Sequence, residues 1–172
     1  MRSQDSSRVT LVLGGTRSGK SMMAERLAAD LASEDGGAVT YVATTSIDDE
    51  DMERRVAAHR ARRPSTWSTV EVHSSAELPR ILARLDGLAL VESLGTWVAS
   101  APDLVVDDRA LLAALRERSG STVVVSEEVG LAVHPPTAAG RAFVDALGNL
   151  NQAVAALAGR VLLVVAGRVL EL

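Results

Sequence analysis

Short apolar runs alternate along this chain with segments whose apolar residues recur every three or four positions. The runs at 9–13, 38–43, 88–91 and 122–126 are too short for helices and rich in valine and leucine, so they predict buried strands. Residues 68–72 alternate and predict a half-buried strand. Helical spacing predicts helices over 21–32, with Met22, Met23, Leu27 and Leu31 as its apolar positions, and over 48–63, stopped by Pro64. Further helices are predicted over 78–85, 107–118 and 138–157, the last with Gly148 as a candidate break. Two final runs, 161–165 and 169–172, flank Gly167 and predict a hairpin.

Strand and helix units in alternation imply an α/β fold, a mostly parallel sheet with helices on both faces. Ligands of such sheets sit at the carboxyl ends of the strands. The polar stretch 1–8 reads as a frayed tail, and 9–172 as one domain without repeat or linker.

The first strand runs into Gly14-Gly15-Thr16-Arg17-Ser18-Gly19-Lys20-Ser21, and the first helix follows directly. This G-x-x-x-x-G-K-S pattern is that of a phosphate-binding loop. Backbone N–H groups cradle phosphates, the lysine reaches the β- and γ-phosphates, and the serine hydroxyl ligates Mg²⁺. Lys20 is the only lysine of the chain, against seventeen arginines. The strand before and the helix after are the context that this pattern needs to carry meaning.

Composition narrows the function further. A net charge of −4 argues against nucleic acid or a membrane surface held through bulk charge. Aromatic residues make up 2%, too few to build a stacking platform for single strands. The absence of cysteine excludes a disulfide framework, a thiolate zinc site and a thiol nucleophile. No apolar run approaches the ~18 residues of a membrane span, and residues 1–8 lack a signal-peptide core, so the expected location is the cytoplasm.

Glu92 directly follows a buried run, which puts it at the ligand edge of the sheet. There it suits Mg²⁺ or its water shell opposite Ser21, the other reading being a solvated strand-end carboxylate. In the 48–63 segment, acids open and arginines close the predicted helix, as a surface helix obeying its dipole would have it. Arg55, His59 and Arg62 nevertheless share a face. Flanking positive charge disfavours the imidazolium, leaving His59 neutral and nucleophilic while arginines hold phosphate oxygens. Periodicity alone leaves both readings open. His73 and His134 have less support, and no N-K-x-D guanine reader exists in a chain with one lysine.

The ordered motifs resemble those of the bifunctional adenosylcobinamide kinase / adenosylcobinamide-phosphate guanylyltransferase family. They are the loop from Leu11 to Ser21, Tyr41-Val42-Ala43-Thr44, Asp49-Glu50 with Met52, His59-Arg60 with Arg63-Pro64 and Trp67, and Val91-Glu92-Ser93-Leu94 with Thr96-Trp97. Ser126-Glu127-Glu128-Val129-Gly130, Gly148 to Gln152 and Val164 to Gly167 complete the set. The resemblance implies a P-loop, RecA-like fold, GTP and ATP as substrates, and adenosylcobinamide and its phosphate as acceptors. It implies a homotrimer and a guanylylated His59. It also implies nucleotide contacts from Ala43, Thr44, Thr45, Arg60, Ala61, Arg62, Arg63, Glu71 and Glu92. Three departures stand out: Ala58 precedes His59 where some members have a second histidine, Glu127 stands where asparagine is usual, and the segment between Trp97 and the 107 helix is short. The competing readings are a P-loop small-molecule kinase without guanylyl transfer, and a nucleotide-binding regulatory module.

Overall fold

The computed structural model describes residues 8–35, 37–44 and 63–172. Among the described residues seven strands form one sheet: β1 (Val9–Gly14), β2 (Val39–Ala43), β3 (Ser68–Glu71), β4 (Leu88–Glu92), β5 (Thr122–Glu127), β6 (Arg160–Val165) and β7 (Arg168–Glu171). Their order is β3-β2-β4-β5-β1-β6-β7. Every pairing is parallel except β6 with β7, which closes the expected hairpin. The described helices are α1 (Lys20–Asp35), α2 (Glu77–Leu82), α3 (Leu94–Ser100), α4 (Asp108–Glu117) and α5 (Ala138–Leu157).

Side chains alternate across the sheet, as the pleat requires, and each face builds its own core. Val12, Leu90, Val123 and Val125 pack with Ala24, Leu27 and Ala28 of α1. Leu11, Ala89, Val91 and Val124 face the other way, onto Leu78 and Leu82 of α2, Trp97 of α3, Leu111 of α4 and Leu147 and Val154 of α5. The central strands are covered on both faces, which is why they read as unbroken apolar runs instead of alternating ones.

Met22 does not belong to the apolar face assigned to it. It is exposed, because Ala24, Leu27 and Ala28 set the inward stripe of α1, and Met22 points away from that stripe. Helix α5 runs through Gly148 without a break. Helix α3 is an element that the hydrophobic pattern did not disclose. Ser93 caps it by accepting from the Thr96 N–H, and the Thr96 hydroxyl returns the bond to the Ser93 backbone. Trp97 on this helix is fully buried and donates its indole N–H to Ser75 O at 2.9 Å. The expected helix 48–63 and the tail 1–7 lie outside the described residues.

The amino ends of the strands are tied by Arg118. Its guanidinium donates to the carbonyls of Leu82, Leu85, Gly87, Gly120 and Ser121 and to Thr122 Oγ1, at 2.6–3.4 Å. Burial lowers its pKa and the nearby charge of Asp86 acts against that, so it stays cationic at neutral pH. One side chain thus satisfies the turns before both β4 and β5. Leucine at this position would strand several carbonyls, and Arg118→Leu is expected to lower unfolding free energy by about 3 kcal/mol in urea titration. Gly148 gives the opposite case. A Cβ there meets nothing within 4 Å, so Gly148→Ala should stabilise the helix by about 0.5–1 kcal/mol in the same assay.

Candidate nucleotide site

The carboxyl ends of β1, β4 and β5 meet at the loop between β1 and α1. Gly14 pairs with Glu127 of β5 on one side and Val164 of β6 on the other. The chain then turns, with Ser18 N–H donating to Gly15 O at 3.2 Å. Arg17 and Gly19 take positive φ, 58° and 95°, a conformation that glycine adopts freely and arginine at a cost of about 1 kcal/mol or more. Helix α1 starts at Lys20, so its first unpaired N–H groups and the positive end of its dipole face the loop. Gly15, Thr16 and Arg17 are exposed, whereas Ser18 is buried and its hydroxyl has no hydrogen-bond partner. A buried hydroxyl with no partner in a loop at a helix N-terminus suits a phosphate-bearing ligand.

The hairpin β6–β7 braces this loop. Its two-residue turn, Ala166-Gly167, has positive φ at both positions, the form that matches strand twist. The Gly167 N–H donates to Ser18 O at 2.8 Å, and Gly167 Cα lies 3.5 Å from where a Cβ on Gly19 would be.

Charge is concentrated just above. Lys20 Nζ lies 3.4 Å from Gly15 O and 3.6 Å from Glu127 Oε1, with only 11% of its side chain exposed. Ser21 Oγ donates to Glu92 Oε1 at 2.6 Å. Ser93 Oγ donates to both oxygens of Glu127 at 3.1 Å. The backbone behind Glu127 is fixed by Asn151 of α5, which donates to Glu127 O at 2.9 Å and accepts from the buried Ser126 hydroxyl at 2.6 Å. The hydroxyl of Ser21 and the carboxylate of Glu92 form the hard-oxygen pair that suits Mg²⁺ alongside phosphate oxygens.

The structure brings the loop residues, Lys20, Ser21 and Glu92 together at the carboxyl edge of the sheet. Ala43 lies between Glu71 and Glu92 in register. Thr44 is buried. Its hydroxyl bonds Ser93 O at 2.7 Å and Thr96 Oγ1 at 2.6 Å, which fastens the end of β2 to the start of α3. At the outer edge, a groove of about 460 Å³ is lined by Arg63, Trp67, Thr69 and Glu71 among others. Arg63 stacks on the Tyr41 ring, 3.6 Å from its centroid. His73 is exposed, and its backbone N–H donates to Glu77 Oε2 at 2.9 Å, holding the Glu77 carboxyl below its usual range. His134 is exposed in the loop before α5. Thr45, His59, Arg60, Ala61 and Arg62 lie outside the described residues. Sequence reasoning did not place Glu127 and Ser93 at this site. The rule that picked Glu92, an acid closing a buried strand, applies equally to Glu127 at the end of β5.

A strand, glycine loop and helix at the carboxyl edge of a parallel sheet, with lysine, serine and acid in place, define a P-loop nucleotide-binding protein. Solved structures agree on the fold. A KaiC-like protein, PH0186 from Pyrococcus horikoshii OT3, matches with a TM-score of 0.54 at 16% identity over 90% of this chain and 69% of that one. The flagellar accessory protein FlaH from Methanocaldococcus jannaschii gives 0.51 at 12% identity over 94% and 74%. Residues 10–172 match the model of the cobinamide kinase / cobinamide phosphate guanyltransferase family, CobU, and the chain belongs to that family. It is 43% identical to the bifunctional adenosylcobalamin biosynthesis protein CobP of Pseudomonas aeruginosa, over 91% of this chain and 92% of that protein. It is 34% identical to the corresponding protein CobU of Salmonella typhimurium, over 91% and 95%.

The close packing at Gly14 yields a test of the loop. A Cβ there would run into Ser18 Oγ and sit 2.8 Å from Val164 O. Gly14→Ala is therefore expected to cost about 1–3 kcal/mol of stability and to weaken GTP binding at least tenfold by calorimetry, while native helix content is retained by circular dichroism.

Proposed function

We propose that this protein phosphorylates the aminopropanol hydroxyl of adenosylcobinamide with GTP or ATP, and then transfers GMP from GTP onto that phosphate. The products are adenosyl-GDP-cobinamide and pyrophosphate. The observation that carries the reading is the hydrogen bond of Ser21 Oγ to Glu92 at the head of the loop that holds Lys20, in a chain of this family.

In the kinase step, the N–H groups of the loop and the Lys20 ammonium hold the β- and γ-phosphates and take up the charge that develops on the leaving oxygen. Ser21 and Glu92 would hold Mg²⁺, which when bound neutralises phosphate charge. The acceptor hydroxyl oxygen forms a bond to the γ-phosphorus, the bond to the β-bridging oxygen breaks, and the hydroxyl proton is released. In the transfer step, a neutral imidazole nitrogen of His59 attacks the α-phosphorus of GTP. A P–N bond forms, the bond to the β-phosphate breaks and pyrophosphate leaves. An oxygen of cobinamide phosphate then attacks the same phosphorus and regenerates the imidazole. Arg60, Ala61, Arg62 and Arg63 would line the phosphates. Ala43, Thr44, Thr45 and Glu71 would complete the nucleotide contacts, in keeping with the groove beside Arg63 and Glu71. The same reading includes a cytoplasmic homotrimer.

The decisive experiment is incubation with GTP labelled on the α-phosphate and no acceptor. Native protein should retain acid-labile, alkali-stable label, and His59→Ala should retain none while still phosphorylating adenosylcobinamide at more than half the native rate. Absence of label on the native protein would replace this reading with that of a kinase alone.

A further inference from the structure

Glu127 has no part in the mechanism above, yet it occupies the centre of the phosphate loop's charge. It ends β5 directly beside Gly14. Asn151 clamps its carbonyl, Ser93 donates to both of its carboxylate oxygens, and Lys20 lies 3.6 Å from one of them. Room for the carboxylate is supplied by Gly95 on α3. A Cβ at that position would run into Glu127 Oε2 and lie 2.8 Å from its Cδ. The carboxylate is therefore held over the lysine by a strand end, a hydroxyl and a missing side chain.

We propose that Glu127 makes this site selective for the metal complex of a nucleoside triphosphate over the free polyanion. The proposal rests on the nucleotide reading given above. Any triphosphate must draw Lys20 away from Glu127, a cost common to both forms of the ligand. Once the lysine has moved, the carboxylate, with 30% of its side chain exposed, faces phosphate oxygens in a setting less screened than bulk water, where like charges repel more strongly. A divalent cation between Ser21 Oγ and the phosphates removes two units of that negative charge. The repulsion from Glu127 then falls mainly on the metal-free ligand.

The test is calorimetric titration of native protein and of Glu127→Gln with GTP, once in excess Mg²⁺ and once in EDTA. Glutamine keeps the size of the side chain and an acceptor for Ser93, and thermal melting checks that the fold is intact. Glu127→Gln should bind metal-free GTP at least tenfold tighter than native protein does, and the Mg²⁺ complex less than threefold tighter. Gly95→Ala retains the carboxylate but displaces it, and should move the ratio of the two affinities in the same direction. Equal tightening of both forms would make Glu127 a holder of Lys20 only and would overturn the proposal, as would an unchanged ratio in both variants. Failure of native protein to bind GTP under either condition would instead remove the nucleotide reading of the loop, and the proposal with it.

Discussion

The position of β1 between two parallel neighbours is the constraint from which the site follows. β5 takes one hydrogen-bonding edge of β1 and β6 the other, all three pointing the same way. With both edges committed and both faces buried, the strand leaves the sheet at its carboxyl end, where the chain turns sharply into α1. The turn needs Gly14, which is pressed against the Ser18 side chain and Val164 O. From there the order of the sheet decides which side chains meet. β5 brings Glu127 alongside Gly14, while β4, next in the order, brings Glu92 to Ser21 at the head of α1. The phosphate loop is thus a consequence of strand order as much as of its own glycines.

Much of this was legible in the sequence because the signals were local. Short valine- and leucine-rich runs bounded by turn residues read as strands by their length and β-branched content, and the glycine–lysine–serine pattern has meaning as soon as a strand precedes it. The alternation of strands and helices was enough for a parallel sheet. What escaped had no local signature. Helix α3 is only seven residues long and contains Gly95, so no periodicity could accumulate; its sole mark is the Ser93–Thr96 capping pair. Arg118 is one of seventeen arginines, and nothing near it in sequence announces that its guanidinium would tie turns from two different strands. Met22 was misassigned because two adjacent methionines leave the phase of a short amphipathic helix ambiguous. The contact of Glu127 with Lys20 joins residues more than a hundred positions apart, and only the sheet order creates it.

Two kinds of polar group divide the structure between them. At the amino ends of the strands, Arg118 exists to satisfy carbonyls, and its interactions are complete. At the carboxyl ends, the buried Ser18 hydroxyl is left open and the Lys20 ammonium lies at a loose 3.6 Å from its partner. The same sheet is sealed at one end and poised at the other. This matches the general rule that incomplete polar arrangements are kept where a ligand completes them.

The brace that Gly167 gives to Ser18 has a temporal consequence. Gly167, whose N–H holds the loop at Ser18 O, is synthesised roughly 150 residues after it. At ordinary rates of synthesis the interval is on the order of ten to thirty seconds. Through that time β1 lacks its β6 neighbour and the loop lacks the brace from Gly167. The nucleotide loop is therefore completed only when the β6–β7 hairpin docks on it.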